Sequence, residues 1–303
     1  MRAARPSDVL LPALWGGMGA FLLGALVATE AGTGLGLLFG ALAWGGVMAW
    51  AIQRPLRRAR VARQPFPEAS RAWLREHVPL YSTLSDADRP RFERDVQWSL
   101  SDLRFEGAAG VEPTPDLQLA VAAGAALLLH GRPDWELPTN RTILFVPDTF
   151  DAAYGDEEPG VYDGMVHAQG PVVLSARAVR RGWARDDGSN VVLHELAHLF
   201  DITGEGADGL PTFLDPRSAD AWIELMNKEM RRAQRGDGVL RAYAGTAPAE
   251  LFAVATEQFF ERPARLRGRH PELFAAFEVF YNLTPPDEEE RQPDGSLMAR
   301  RWE

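Results

Sequence analysis

The stretch that decides the fold of this chain runs from Asn190 to Asp201 and reads NVVLHELAHLFD. Its apolar residues predict a helix, on which His194 and His198 stand at positions i and i+4 and face the same side, able to share one metal ion. Apolar residues also surround the two histidines, which predicts that the helix is buried. Burying two imidazoles and a carboxylate without partners is costly, and a bound metal would offset that cost. A set of hydrogen-bonded core histidines is the alternative.

Glu195 directly follows the first histidine of this motif. At that position its carboxylate lies beside the metal and can take a proton from water that the metal activates, which makes Glu195 the candidate general base. A catalytic zinc also needs a third protein ligand. The pattern HExxHxxGxxH would supply a histidine, but Asp201 and Gly204 occupy the corresponding positions. Asp201 is then either a partner of a ligand or a simple helix-terminal acid.

The third ligand is expected from the segment YAGTAPAELFAVATEQFF at residues 243–260. Pro248 suits the first turn of a helix, and Glu250 and Glu257, seven residues apart, share one face of that otherwise apolar helix. We assign Glu250 as the metal ligand and Glu257 as the acceptor that orients a ligand imidazole. The alternative for both glutamates is that they lie on the solvent-exposed face of an amphipathic helix and bind no metal. Tyr243 is placed to donate to an oxyanion, although a lone tyrosine is more often a packing residue.

The composition excludes several classes of protein. The chain has 303 residues and no cysteine, which excludes a disulfide scaffold, a thiolate metal site and a cysteine nucleophile. Its formal net charge is −10, which argues against direct binding of nucleic acid. Residues 1–63 nevertheless contain seven arginines and only two acidic residues. A basic, apolar N-terminal part therefore precedes an acidic body.

Two uncharged stretches in this N-terminal part, at about residues 10–28 and 35–52, are each close to the length that crosses about 30 Å of hydrocarbon. Residues 1–53 therefore predict a two-helix transmembrane hairpin, with small residues four apart where the helices meet. Arginines flank both outer ends, so the positive-inside rule puts both termini and the body in the cytoplasm. A signal peptide and a buried helical pair of a soluble fold are the alternatives.

The remaining chain predicts an α+β fold that is mainly helical with a small sheet. A basic linker is expected at 54–67, the folded domain at 68–284, and an acidic, disordered tail at 285–303. Within the domain, the patterns predict the following elements: helices at 68–78, 85–105, 114–130, 190–201, 219–235, 248–261 and 271–282, and strands at 141–146 and 171–175. The helix at 114–130 is expected to be central because it carries few charges. Residues 147–170 are expected to form a surface loop. The other histidines have no partner spacing and are expected on the surface or in packing: His77, His130, His167 and His270.

Three motifs together resemble the Mlc titration factor A family of zinc-dependent peptidases. These are HELAHLFD, the segment YAGTAPAELFAVATEQFFERP at residues 243–263, and HAQGPVVLS at residues 167–175. A weaker likeness extends over roughly residues 66–283. The resemblance implies a glutamate-zincin fold with a catalytic core similar to that of anthrax lethal factor. It further implies weak aminopeptidase-type activity and a cytoplasmic role in which the family's namesake binds a transcriptional repressor.

The resemblance also implies roles for individual residues. His194, His198 and Glu250 would bind one Zn²⁺, Glu195 would be the catalytic base, and Tyr243 would stabilise the transition state. This sequence departs from the family in its N-terminal hairpin. It also departs from the glutamate-zincin variant with an aspartate four residues after the ligand glutamate, since Val254 stands there.

We therefore expect a membrane-anchored, cytoplasm-facing zinc metallopeptidase that acts on a peptide or protein substrate. The strand at 171–175 is expected to pair with an extended substrate. The alternative is a regulatory module that sequesters a partner such as a transcriptional repressor, with the zinc site mainly a scaffold. The sequence does not distinguish an aminopeptidase from an endopeptidase.

Overall fold

The computed structural model describes residues 6–137, 142–151, 161–166, 170–203 and 206–287. The chain divides into two compact units between residues 65 and 66. Most of the tail expected at 285–303 lies outside the described residues, as do His167 and part of the loop expected at 147–170.

The N-terminal unit consists of the helices α1 (Pro6–Ala31) and α2 (Thr33–Val61). Gly32 joins them with a φ of 95°, a left-handed conformation that glycine adopts without strain. By length and composition both helices could cross a membrane, and only 11% of each apolar window is buried. Helix α2 continues through Pro55 to Val61. The first arginines of the expected linker therefore lie on its last turns.

Small residues bring the two helices of this unit into backbone contact. A Cβ added at Gly24 would lie 2.8 Å from the Gly36 carbonyl oxygen, and one added at Gly36 would lie 2.6 Å from the Cβ of Ala28. Large apolar side chains of the same helices are exposed, among them Leu14 and Phe21. The small faces thus meet each other, and the large apolar faces point outward.

The C-terminal unit begins with helices and a first strand. Its first elements are α3 (Glu68–His77), α4 (Pro79–Thr83), α5 (Arg89–Asp102), β1 (Arg104–Gly107) and α6 (Pro115–Leu129). Helix α6 is almost wholly buried, which confirms its expected central place. Its Gly124 lets α8 (Val191–Asp201) approach, because a Cβ there would lie 2.6 Å from Val192.

A four-stranded mixed sheet packs beside these helices. It is formed by β1, β2 (Thr142–Val146), β6 (Val172–Ser175) and β5 (Gly164–Val166), in that spatial order. The strands β1, β2 and β6 are parallel, and β5 is antiparallel to β6 with Gly164 opposite Leu174. Two short antiparallel pairs accompany it: β3 (Phe150–Asp151) with β4 (Val161–Tyr162), and β7 (Ile202–Thr203) with β8 (Gly206–Ala207).

The remaining helices complete the unit. They are α7 (Ala176–Ala184), α9 (Ala219–Gln234), α10 (Pro248–Glu261), α11 (Pro263–Arg269) and α12 (Pro271–Tyr281). Aromatic side chains of α9, α10 and α12 stack together, for example Trp222 on Phe277 at 5.6 Å between ring centroids. The expected mainly helical fold with a small sheet is confirmed.

Three local predictions were wrong. Residues 147–170 were expected to form a surface loop, but their described parts contain β3, β4 and β5, because β5 pairs with β6 in the sheet. The helix expected at 85–105 covers only Arg89–Asp102, because the Ser85 hydroxyl bonds to Asp88, which becomes the N-cap residue, and Arg104–Gly107 pair with β2. The strand at 171–175 was expected to hold a substrate. It lies between β2 and β5 with both sides paired, so among the described strands the free edge on this side belongs to β5.

Candidate metal centre

Helix α8 carries the paired histidines and begins at a side-chain cap. The Asn190 side-chain oxygen accepts hydrogen bonds from the backbone N–H groups of Val192 at 3.1 Å and Leu193 at 3.3 Å. His194 and His198 then lie one turn apart, with their Nε2 atoms 3.3 Å from each other. Both side chains are buried at about one-tenth exposure. The predicted face of this helix is therefore formed as expected.

Glu250 reaches this pair from the first turn of α10, where Pro248 starts the helix. Its Oε2 lies 3.0 Å from Nε2 of His194 and its Oε1 lies 3.7 Å from Nε2 of His198. Ligands bound tetrahedrally to zinc at 2.0–2.1 Å are about 3.3–3.4 Å apart. The distances lie near that value, and the Glu250 carboxylate turns one oxygen toward each imidazole, so these three side chains are close enough to share one ion.

Glu257 lies behind His194, on the opposite side of the imidazole from Glu250. Its Oε1 is 2.7 Å from Nδ1 of His194, and its Oε2 accepts the backbone N–H of Asn190 at 2.6 Å. With Nδ1 donating to this carboxylate, Nε2 of His194 is the nitrogen that would bind a metal ion. The structure thus brings Glu257 to the imidazole as the helical spacing predicted.

Asp201 lies beside the second histidine. Its Oδ1 is 3.8 Å from Nδ1 of His198, and neither of these buried atoms has a hydrogen-bond partner within the described part of the chain. The other carboxylate oxygen accepts the backbone N–H of Gly209 at 3.1 Å. Burial raises the pKa of Asp201. Of the two alternatives for this residue, the geometry favours a partner of His198.

Glu195 points from α8 toward the free edge of the sheet. It is buried, and burial raises its pKa above the usual glutamate value. The carboxylate lies against Gly164 of β5, where a Cβ would come within 2.6 Å of its Oε1. A cleft of about 370 Å³ opens here, and its lining includes Tyr162, Gly164, Arg181, Glu195, Arg241 and Tyr243.

Tyr243 belongs to a short 3₁₀ turn, Ala242–Gly245, just before α10. It is 43% exposed, and its ring centroid lies 6.1 Å from that of His194. Burial, together with the negative charge of Glu250 and a hydrogen bond to it, raises the pKa of Tyr243. The phenol therefore stays protonated at neutral pH, as a hydrogen-bond donor beside the candidate ligands.

The remaining histidines that the structure describes are packing residues. The Nδ1 of His77 bonds to the Trp73 carbonyl, His130 contacts Arg91, and His270 bonds to Glu229. All three are buried, and within the described ranges only His194, His198 and Glu250 come together as a group able to hold a metal.

A family model described as Glucose-regulated metallo-peptidase M90 matches residues 53–282 of the chain, including the whole of α8 and α10. The chain belongs to this family. Among its relatives, Mlc titration factor A of Edwardsiella ictaluri is 30% identical over 257 residues, covering 78% of this chain and 92% of its own. Mlc titration factor A of Yersinia enterocolitica is 28% identical over 246 residues, covering 74% and 90%. An uncharacterized protein of Synechocystis sp. is 29% identical over 245 residues, covering 76% and 89%. These matches confirm the resemblance predicted from the motifs.

Two residues of this candidate metal centre escaped the sequence analysis. Arg241 forms an ion pair with Glu257, and Gly164 makes room for Glu195. A lone arginine and a lone glycine carry no spacing signal, and both come from segments distant from the motif. The one available hint for Arg241 was its position two residues before Tyr243.

Proposed function

We propose that this protein is a zinc-dependent metallopeptidase, anchored in the membrane by its N-terminal hairpin with the peptidase unit in the cytoplasm. The observation that carries the proposal is the convergence of His194, His198 and Glu250 beside Glu195, in a chain of a metallopeptidase family. Two imidazoles and one carboxylate are the ligand set of a catalytic zinc site with an open position. One Zn²⁺ per chain follows from this set.

The chemistry divides between the metal and Glu195. When bound, zinc supplies Lewis-acid catalysis, lowering the pKa of water and polarising the scissile carbonyl. Glu195 accepts the proton of the attacking water and delivers it to the leaving amine. The raised pKa of Glu195 suits the first of these steps, because it strengthens the carboxylate as a proton acceptor.

Tyr243 and strand β5 position the substrate. The partly exposed Tyr243 hydroxyl donates to the oxyanion that develops on the scissile carbonyl. An extended peptide adds to the free edge of β5, which passes directly over Glu195 at Gly164. This places the scissile bond next to the general base.

The fold of the C-terminal unit supports a zincin-like assignment. Helix α8 bears the histidine pair, β5 is an antiparallel edge strand above it, and α10 delivers the glutamate ligand.

The decisive experiment compares the full chain with Glu195→Gln, purified in detergent with equal zinc content. We expect wild-type protein to cleave a mixed peptide library, followed by mass spectrometry, and Glu195→Gln to cleave none of it. The exposed Glu106→Gln on β1 is the matched control and should cleave normally. Cut positions distinguish an aminopeptidase from an endopeptidase. Equal cleavage by wild type and Glu195→Gln would refute the role of the base.

Membrane topology can be tested because the chain has no cysteine. Two variants each carry a single cysteine, one in place of Thr33 at the start of α2 and one in place of Ser70 in α3. Intact cells with either variant are treated with a membrane-impermeant maleimide. We expect labelling at position 33 only, with position 70 labelled after lysis. The reverse pattern, or labelling of both positions in intact cells, would refute the cytoplasmic orientation, and labelling of neither position before lysis would refute the spanning hairpin.

The name of the relatives favours a second candidate function. Mlc titration factor A, by its printed name, titrates a factor called Mlc. By analogy, this protein would sequester a partner such as a transcriptional repressor at the membrane, with the zinc site as a scaffold. No cleavage by wild-type protein with zinc bound would favour this function.

A further inference from the structure

Arg241 forms a two-point ion pair with the buried carboxylate of Glu257. Its Nη2 lies 2.5 Å from Oε1 and its Nη1 lies 3.1 Å from Oε2. The Glu257 side chain is 1% exposed, whereas that of Arg241 is 38% exposed and lines the cleft. Parallel bonds of this kind fix the plane of a carboxylate as well as its distance.

Each oxygen of Glu257 has a second partner. Oε1 is shared between Arg241 and Nδ1 of His194, and Oε2 is shared between Arg241 and the backbone N–H of Asn190. The carboxylate cannot rotate without breaking bonds on both sides. Asn190 caps α8, so the same carboxylate also holds the start of the helix that carries the ligands.

Arg241 is also tied to the segment that bears the tyrosine. Tyr243 follows it by two residues, and Nη1 of Arg241 lies 3.5 Å from the Gly188 carbonyl oxygen in the loop before α8. One guanidinium therefore joins α10, the loop before α8 and the 3₁₀ turn.

We propose that Arg241 is a positioning residue for His194, acting through the orientation of Glu257. The fork of Arg241 holds the carboxylate in the plane in which it fixes the imidazole, so that Nε2 of His194 points at Glu250 and His198. The inference rests on the proposed metal site and adds to it a residue outside the ligand set.

If Arg241 acted on the metal site only through its positive charge, its replacement would change zinc affinity in the opposite direction from the one that a positioning role predicts. A positive charge near a divalent cation weakens binding of that cation, so its loss alone would raise zinc affinity. Lysine keeps the charge but cannot form the two parallel bonds of a guanidinium. Arg241→Lys therefore isolates the contribution of orientation.

The test measures zinc affinity of the full chain in detergent by competition with a chelating dye. We expect Arg241→Lys to weaken zinc binding by about 10-fold or more, as is typical for residues that orient ligands. Arg181→Lys is the matched control, because Arg181 lines the same cleft and pairs with Asp163 instead. Its affinity should equal that of wild type. Unchanged affinity in Arg241→Lys, or an equal loss in Arg181→Lys, would overturn the proposal.

A double-mutant cycle tests whether Arg241 acts through Glu257. Glu257→Gln keeps the volume of the side chain and should itself weaken zinc binding, which also covers the case in which Arg241→Lys fails to fold. Adding Arg241→Lys to Glu257→Gln should then have little further effect. Full additivity of the two losses would contradict the proposal. Thermal unfolding of the metal-free variants separates loss of affinity from loss of fold.

The readout does not depend on peptide cleavage. A chain that binds zinc, shows this coupling and cleaves nothing would refute the peptidase function and leave the role of Arg241 in place.

Discussion

Replacing Gly164 by alanine perturbs the proposed general base without touching a metal ligand. Gly164 lies on β5 against the Glu195 carboxylate. An added Cβ would lie 2.6 Å from both Cγ and Oε1 of Glu195, and 2.8 Å from its Cδ. These are the nearest atoms that the methyl group would meet, and all belong to the one side chain.

The size of the effect follows from these distances. Non-bonded carbon atoms are most stable at about 3.5–4.0 Å, so Glu195 or β5 has to move by about 1 Å. A misplacement of about 1 Å costs roughly 100-fold in rate, which equals about 2.7 kcal/mol of activation free energy. Overpacking of this kind also lowers the free energy of unfolding by about 1–3 kcal/mol.

The assay is kcat/KM for a peptide identified from the mixed library, with zinc content measured for each protein. We expect Gly164→Ala to bind normal zinc and to lose about 100-fold in kcat/KM. Gly268→Ala is the matched control, because a Cβ at that position of α11 meets only open space. A normal rate for Gly164→Ala at equal zinc would refute the placement of Glu195 as the base.

Three further predictions address the ligands, the core and the hairpin. His194→Ala should lose zinc and about 1–3 kcal/mol of unfolding free energy, because it removes one hydrogen-bond donor from the buried carboxylate of Glu257; retention of zinc, measured by elemental analysis, would contradict the ligand assignment. Burial and the nearby Arg91 lower the pKa of His130 to about 4, below the value of about 6.5 in the unfolded chain. The contribution of neutral His130 to the free energy of unfolding is therefore complete above pH 6.5 and is lost as the pH falls toward 4. Between pH 7 and pH 4.5, the free energy of unfolding in urea should therefore fall by about 2–3 kcal/mol more for wild type than for His130→Gln. An equal fall in both proteins would contradict the lowered pKa of His130. Gly36→Leu should separate α1 from α2 and lower the unfolding temperature of the hairpin helices in detergent, followed by circular dichroism, whereas Gly34→Leu, with open space at its Cβ, should not; equal unfolding temperatures would contradict the close helix contact.

Features coded by local spacing could be predicted from the sequence. The i, i+4 histidines and the apolar residues around them were sufficient to predict α8, and Pro248 marked the first residue of α10. The seven-residue spacing of Glu250 and Glu257 placed both acids on one face, and the structure brings both to His194.

Features set by the order of distant segments could not be predicted. The four residues of β1 have little strand signal of their own and are extended because they pair with β2, nearly forty residues later. Strand order also decides which strand is free, and for that reason the expectation for the strand at 171–175 was wrong. The positions of Gly164 and Arg241 depend on the same long-range packing.

The shortness of β5 has a consequence for the behaviour of the protein in a crowded cell. A long, flat edge strand with free N–H and C=O groups invites pairing with other chains and aggregation. Among the described residues, this edge strand consists of Gly164–Val166, enough to hold two or three residues of a peptide through the main chain. Two copies that met edge to edge would gain too few hydrogen bonds to stay together. The edge of the sheet can therefore bind peptides transiently without starting aggregation.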